Sequence, residues 1–274
     1  MSRRTVFFVS DQTGVTAETL GHSLLTQFEG HDFDLVTLPF LDTLDKVEEA
    51  LGLIDGRATE QSLIPIVFST LVQDDLRARF KPDKGVLIDF FAMFLPTLED
   101  TLHAKSSHKP GQAHGLVDSY RYDQRMDATN FALNNDDGAR TTDYERADII
   151  LTGVSRSGKT PTCLYLALTY GVYAANYPLS EDELEVGKLP AVLEKHKQKI
   201  YGLTIQATRL QQIRRERRPT GKYSTIQQVN FEIRAAESLF KRTGIPFVDT
   251  TKSSIEELAS TILVQTGVER RIRP

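Results

Sequence analysis

From Ala147 to Leu168 the chain reads ADIILTGVSRSGKTPTCLYLAL: a strand pattern, a glycine loop and a helix pattern in immediate succession. The apolar run Ile149 to Leu151 predicts the strand and Cys163 to Leu168 the helix. Between them Gly153, Val154, Ser155, Arg156, Ser157, Gly158, Lys159 and Thr160 meet the pattern GxxxxGK[ST] at every fixed position, in the context that gives it meaning. Glycine at 153 and 158 permits backbone angles and close approaches that a side chain blocks, so successive N–H groups can point inward at phosphate oxygens. The new helix adds its positive N-terminal end. Lys159 supplies a point charge for the terminal phosphate, and the Thr160 hydroxyl is placed to ligate Mg²⁺. Pro161 is tolerated only in a first helical turn, which fixes the helix start directly after Thr160. Cys163 reads as a small packed residue rather than a nucleophile.

A chain of 274 residues, 40% hydrophobic and 26% charged, has room for one large or two ordinary domains. Its net charge of -4 argues against general affinity for nucleic acid or an anionic membrane. The single cysteine excludes an internal disulfide and a cysteine metal cluster, and points to a reducing cytoplasm. No long apolar segment marks a membrane span, and Met1 to Arg4 leads into a strand too short for a signal peptide.

Upstream of the loop, strands are expected at Thr5 to Asp11, Asp34 to Leu41, Leu63 to Phe68 and Gly85 to Phe90. Helices are expected at Thr16 to Phe28, Leu44 to Ile54, Gln73 to Phe80 and Pro96 to His103. This alternation implies a parallel sheet with right-handed crossovers. The fold class is therefore α/β: a parallel-sheet N-terminal domain (1–104), a connector (105–146) and a P-loop kinase-like α/β domain (147–274). The first strand delivers Ser10-Asp11-Gln12-Thr13-Gly14 to the sheet edge where ligands gather, so Asp11 is a candidate catalytic residue; the same loop also reads as a capped turn. In the connector, His103, His108 and His114 fit no familiar zinc spacing and read as solvated or phosphate-facing. Asp127 and Asp136 are carboxylates without further support, and Asn134 to Gly138 is a sharp polar turn.

After the loop, strands are expected at Val172 to Asn176, Lys199 to Ile205 and Ile245 to Asp249. The arginine-dense helix Arg209 to Arg218 carries Arg214 and Arg217, read either as anion-facing groups that stabilise a transferring phosphoryl or as a solvated face. An amphipathic helix is expected at Thr225 to Arg242, and a final one opens on a capping box, Ser253 to Glu256. Asp249 at a strand end is read either as part of a Mg²⁺ shell or as a turn residue.

The strings GVSRSGKTPTCLYLA (153–167) and VSDQTGVTAETLGHSLL (9–25), with AANYPL at Ala174 to Leu179 and the strand and arginine helix of Tyr201 to Arg218, resemble the bacterial phosphoenolpyruvate synthase regulatory proteins over nearly the whole chain. The pyruvate, phosphate dikinase regulatory proteins are similar in architecture, and the SGKTPT ending inclines toward the synthase branch. The resemblance implies a bifunctional enzyme. Such proteins phosphorylate a threonine of the target with ADP as donor, and remove that phosphate with inorganic phosphate as acceptor, releasing pyrophosphate. ADP, phosphate and Mg²⁺ are thus the expected ligands, phosphoenolpyruvate synthase the expected partner, and a homodimer stays open. An ATP-dependent small-molecule kinase and a docking regulator that senses nucleotide are the rival classes.

Overall fold

The computed structural model describes residues 3–110 and 119–272. Two compact units, residues 1–115 and 116–274, each contain a four-stranded parallel sheet. In the first, β1 (Arg4–Val9), α1 (Val15–Leu25), β2 (Phe33–Leu38), α2 (Leu44–Gln61), β3 (Ile66–Ser69), α3 (Asp74–Arg79), β4 (Val86–Asp89) and α4 (Phe90–Leu102) follow in order. In the second come α5 (Ser119–Asn134), β5 (Ile149–Gly153), α6 (Lys159–Tyr170), β6 (Ala174–Pro178), α7 (Glu181–Val186) and α8 (Ala191–Glu194). They are followed by β7 (Ile200–Thr204), α9 (Ala207–Arg217), α10 (Ile226–Thr243), β8 (Phe247–Asp249) and α11 (Ile255–Thr266). The strand orders are β2-β1-β3-β4 and β6-β5-β7-β8, so both units have the same topology.

Parallel strands covered by helices on both faces read as continuous apolar runs, because each face needs its own core. Ile149 and Leu151 of β5 enter one core with Cys163 and Leu166 of α6, while Ile150 enters the other with Val229 and Phe240 of α10. In the first unit Phe7 and Val9 face Val47 and Ile54 of α2, and Val6 and Phe8 face Ala17 of α1 and Phe90 of α4. Residues 119–146, read from sequence as connector, contribute to the second unit's cores through Ala128, Phe131, Ala132 and Tyr144. His114 and Gly115 to Val117 lie outside the described residues.

Among the element boundaries that differ from the sequence reading, three have a clear physical reason. Helix α4 starts at Phe90 and carries Pro96 in its interior. Asp89 caps it by accepting the Ala92 N–H at 2.9 Å, and Phe90 is buried with its ring stacked 5.4 Å from that of Phe68, which outweighs the hydrogen bond that proline forfeits. The last capping box falls one residue later, between Ser254 and Glu257. Helix α2 runs to Gln61, with an αL Ser62 ending it. Among the described residues no helix is long and apolar enough to cross a membrane.

Strand β7 approaches its cover so closely that Gly202 has no room for a side chain: a Cβ there would lie 2.8 Å from Phe240 Cε2 and from Phe247 Cβ. Gly202→Ala is expected to lower unfolding stability by roughly 1–3 kcal/mol through overpacking. Urea denaturation measures this, and an unchanged midpoint would show slack between β7 and α10.

Candidate active site

Strand β5 ends at Gly153, and the loop to α6 leaves the sheet where the chain passes to β6 on one side and β7 on the other, the place where open α/β sheets bind ligands. Gly153 has φ +149°, and a Cβ on it would stand 2.3 Å from the Leu203 carbonyl oxygen, so no other residue fits. Gly158 is the αL residue before α6, and no side chain caps that helix. The loop is further fixed by the Leu179 N–H donating to the Gly153 carbonyl (3.1 Å) and the Ser157 N–H donating to that of Val154 (3.3 Å). Arg156 adopts φ +74°, a conformation costly for a residue with a side chain. The Ser157 hydroxyl is buried and has no hydrogen-bond partner among the described residues.

Lys159 is 4% exposed, and its ammonium donates to the carbonyls of Gly153 (3.2 Å) and Val154 (2.8 Å). Among the described residues no carboxylate lies within ion-pair distance of it. Burial therefore dominates and pushes its pKa down to about 8; Asp137 and Asp136 act against that shift, while the Arg214 charge adds to it. A buried lysine facing a cavity with no partner charge is a receptive position for an anion.

The carboxylate beside the loop comes from the polar turn that the sequence places before β5. Asp136 accepts the Thr160 hydroxyl at 2.8 Å and the Asn176 amide, and Asn176 in turn accepts the Asp137 N–H at 3.0 Å. Asp137 itself has φ +49° and is exposed. With Ser155, Arg156, Gly158, Lys159, Thr160 and Pro161 it lines a cavity of about 250 Å³. This is smaller than the roughly 300–1,000 Å³ of pockets that enclose a whole ligand. It suits the phosphates of a larger molecule.

The remaining sequence candidates are distributed as follows. Arg214, read as anion-facing or solvated, is completely buried: its guanidinium donates to the carbonyls of Ser155 and Tyr223 (3.1 Å each) and to Glu232 (2.6 Å). Arg217 is exposed on the last turn of α9. Asp11 belongs to the first unit, where its buried carboxylate accepts the N–H groups of Val72 (2.8 Å) and Gln73 (3.3 Å), tying the loop after β1 to the loop after β3. Asp249 accepts the Thr251 N–H at 2.8 Å, as a turn residue does. Asp127 is exposed on α5. His103 is the αL residue after α4, and the His108 ring meets Asp74 at 2.7 Å. Cys163 is buried with its thiol against the Ala175 carbonyl at 3.4 Å, and burial raises its pKa far out of the reactive range. Asp137, Asn176, Tyr223 and Glu232 were not singled out from sequence; Asn176 lies within AANYPL, and Asp137 within the polar turn.

Because Lys159 titrates near 8 when folded and near 10.5 when unfolded, the unfolded chain binds the extra proton between those values. Stability from this group therefore rises with pH across that window, by about 1.4 kcal/mol per pH unit, and is lowest below it. Lys159→Met removes the contribution. Urea denaturation at a series of pH values is expected to show the variant more stable at pH 7 and the difference from wild type shrinking toward pH 10. A constant difference would place the lysine in water.

With this geometry in view, comparison with known proteins is informative. A sequence model of the kinase/pyrophosphorylase family matches residues 6–263. A relative from Alkalilimnicola ehrlichii, named as a phosphoenolpyruvate synthase regulatory protein, is 52% identical over 99% of this chain and 98% of its own length. Relatives of the same name from Pseudomonas putida strain W619 and Hahella chejuensis are 50% and 48% identical, each over 99% of this chain and 100% of their own length. Identity at this level over nearly the whole chain, with a family model matching residues 6–263, means that the chain belongs to the kinase/pyrophosphorylase family.

Proposed function

We propose that the chain inactivates phosphoenolpyruvate synthase by phosphorylating one of its threonines with ADP, and reactivates it by transferring that phosphate to inorganic phosphate, with release of pyrophosphate. Family membership makes the chain a phosphotransferase-type enzyme with a regulatory kinase/pyrophosphorylase role. The observation that carries the finer reading is the meeting of Lys159, Thr160 and the exposed carboxylate of Asp137 around one small cavity at the loop. A phosphate cradle alone binds. A cradle with a free carboxylate at its mouth can also take the proton of an incoming hydroxyl.

In the forward direction the loop amides and the Lys159 ammonium hold the diphosphate tail of ADP. The threonine oxygen attacks the β-phosphorus, its proton passes to Asp137, the bond to the bridging oxygen breaks and AMP leaves. In the reverse direction inorganic phosphate occupies the same cradle and attacks the phosphothreonine phosphorus. Pyrophosphate forms, and the threonine oxygen recovers a proton from Asp137. One cradle serves both reactions because each needs a phosphoryl group held beside a second phosphate. The Thr160 hydroxyl and the Asp136 carboxylate are oxygen donors of the kind Mg²⁺ accepts together with phosphates and water, and these two residues would hold it. When bound, the ion offsets phosphate charge. Arg217, exposed on α9, stays available to an acidic ligand or to solvent.

Incubation of the chain and purified phosphoenolpyruvate synthase with β-labelled ADP is expected to place label on a threonine of the synthase, and labelled ATP is expected not to. Lys159→Met is expected to reduce both reactions at least about 100-fold, the scale of losing a charge aimed at the transferring group. Asp137→Asn is expected to reduce both by roughly 10²–10⁴-fold while ADP still binds. Transfer from ATP in place of ADP, or a Lys159→Met variant with full phosphorylase turnover, would overturn the reading.

A further inference from the structure

We infer that Arg214 and Tyr223 form a clamp behind the phosphate loop that fixes the peptide between Ser155 and Arg156, making them positioning residues for the phosphate site. The inference rests on reading the loop as a diphosphate cradle, and it assigns Arg214 a task other than contact with phosphate.

The clamp grips Ser155 twice. The Arg214 guanidinium donates to the Ser155 carbonyl at 3.1 Å, and the Tyr223 hydroxyl lies 3.0 Å from the Ser155 hydroxyl. The two clamp residues also hold each other: Arg214 lies with its Cζ 4.2 Å from the centre of the Tyr223 ring and donates to the Tyr223 carbonyl at 3.1 Å. Glu232 on α10 completes the assembly, accepting Arg214 at 2.6 Å and the Gln228 amide at 3.0 Å. Arg214 is 0% exposed and does not line the cavity, so it does not meet the ligand there.

The consequence follows from the peptide plane. In a trans peptide the C=O and the following N–H point in opposite directions. Pinning the Ser155 carbonyl toward the buried guanidinium therefore turns the Arg156 N–H away from it, toward the open side of the loop. The positive φ of Arg156 is the strain that this orientation requires, and such strain persists only where the surroundings hold it. The clamp is that hold. A planar fork with several donors reaches two carbonyls and a carboxylate at once, which a lysine does not.

Two variants test this. Tyr223→Phe deletes one hydroxyl and keeps the ring under Arg214. Arg214→Lys keeps the charge and loses the fork. By titration calorimetry with ADP, Tyr223→Phe is expected to bind about fivefold more weakly than wild type and Arg214→Lys at least about tenfold more weakly. In turnover assays the KM for ADP and the KM for phosphate are expected to rise by similar factors with kcat retained, because a misaligned cradle loses ground-state and transition-state binding alike. A merely structural role would lower kcat with the active fraction and leave KM alone. That result, or ADP affinity equal to wild type in Tyr223→Phe, overturns the clamp. If Arg214→Lys does not fold, Tyr223→Phe alone decides. A wild-type chain that binds no ADP would sink the functional reading itself, an outcome distinct from variants that match a binding wild type.

Discussion

The site depends on one contact with no slack, the α-carbon of Gly153 against the carbonyl of Leu203. Strands β5 and β7 are paired neighbours through Ile150 to Thr152 and Ile200 to Gly202, so by the time β5 ends its last residue lies against the β7 backbone. On the other side the Leu179 N–H, just past β6, takes the Gly153 carbonyl. The chain is thus held from both flanks at the residue where it turns out of the sheet. The direction in which the loop departs is set by strand pairing, and the loop's own residues need only complete a curve already begun. A side chain at 153 would push the strands apart or lift the loop off the sheet edge. Either change would displace Lys159 from the carbonyls that receive its ammonium.

Two buried cations lie near this turn, and their different partners explain their different uses. Arg214 has a carboxylate, two carbonyls and an aromatic face, so most of its desolvation is offset within the protein, its Nε alone having no hydrogen-bond partner among the described residues. Lys159 has two carbonyls and, among the described residues, no carboxylate, and its depressed pKa is the mark of a charge that burial leaves incompletely compensated. An incoming anion would complete what the protein leaves unmatched at the lysine, whereas the arginine already has its partners within the fold. Asp136 is committed to Thr160 and Asn176, while Asp137, one residue on, reaches the cavity. Adjacent carboxylates therefore divide into one that orients and one that stays available.

Much of this was legible in the sequence because it is local. Strands β1, β5 and β7 are continuous apolar runs, and the loop is a contiguous motif whose two glycines, lysine and threonine each meet a stated steric or electrostatic need. What was not legible is long-range. Nothing in the string around Arg214 tells that Glu232 will meet it from α10, since the pairing depends on how two helices cross. The density of arginines near it instead suggested an anion-facing surface. Asp137 sits in a polar turn whose composition marks any turn, and only the fold of residues 119–146 against the second sheet carries it to the loop. Pro96 misled in the other direction: a local rule placed a helix start at a residue that tertiary packing keeps inside α4.

The shared topology of the two units sharpens what the loop sequence contributes. Both place an αL glycine, Gly14 or Gly158, immediately before the helix that follows the first strand of their sheet, and neither helix has a side-chain cap. After Gly158 comes Lys159; after Gly14 comes Val15, half exposed and without charge. The first loop carries instead Asp11, whose carboxylate takes two backbone N–H groups from the neighbouring loop after β3. The same strand–turn–helix frame thus presents a buried ammonium in one unit and a buried carboxylate in the other. Fold alone supplies the sheet edge and the helix dipole, and the two loops, 10–14 and 154–158, are equal in length; a lysine in place of a valine, and a glycine at the strand end where the first unit has Val9, supply a counter-charge and a close backbone turn of the kind a phosphate requires. On that ground the buried cation suited to receive an anion lies in the second unit.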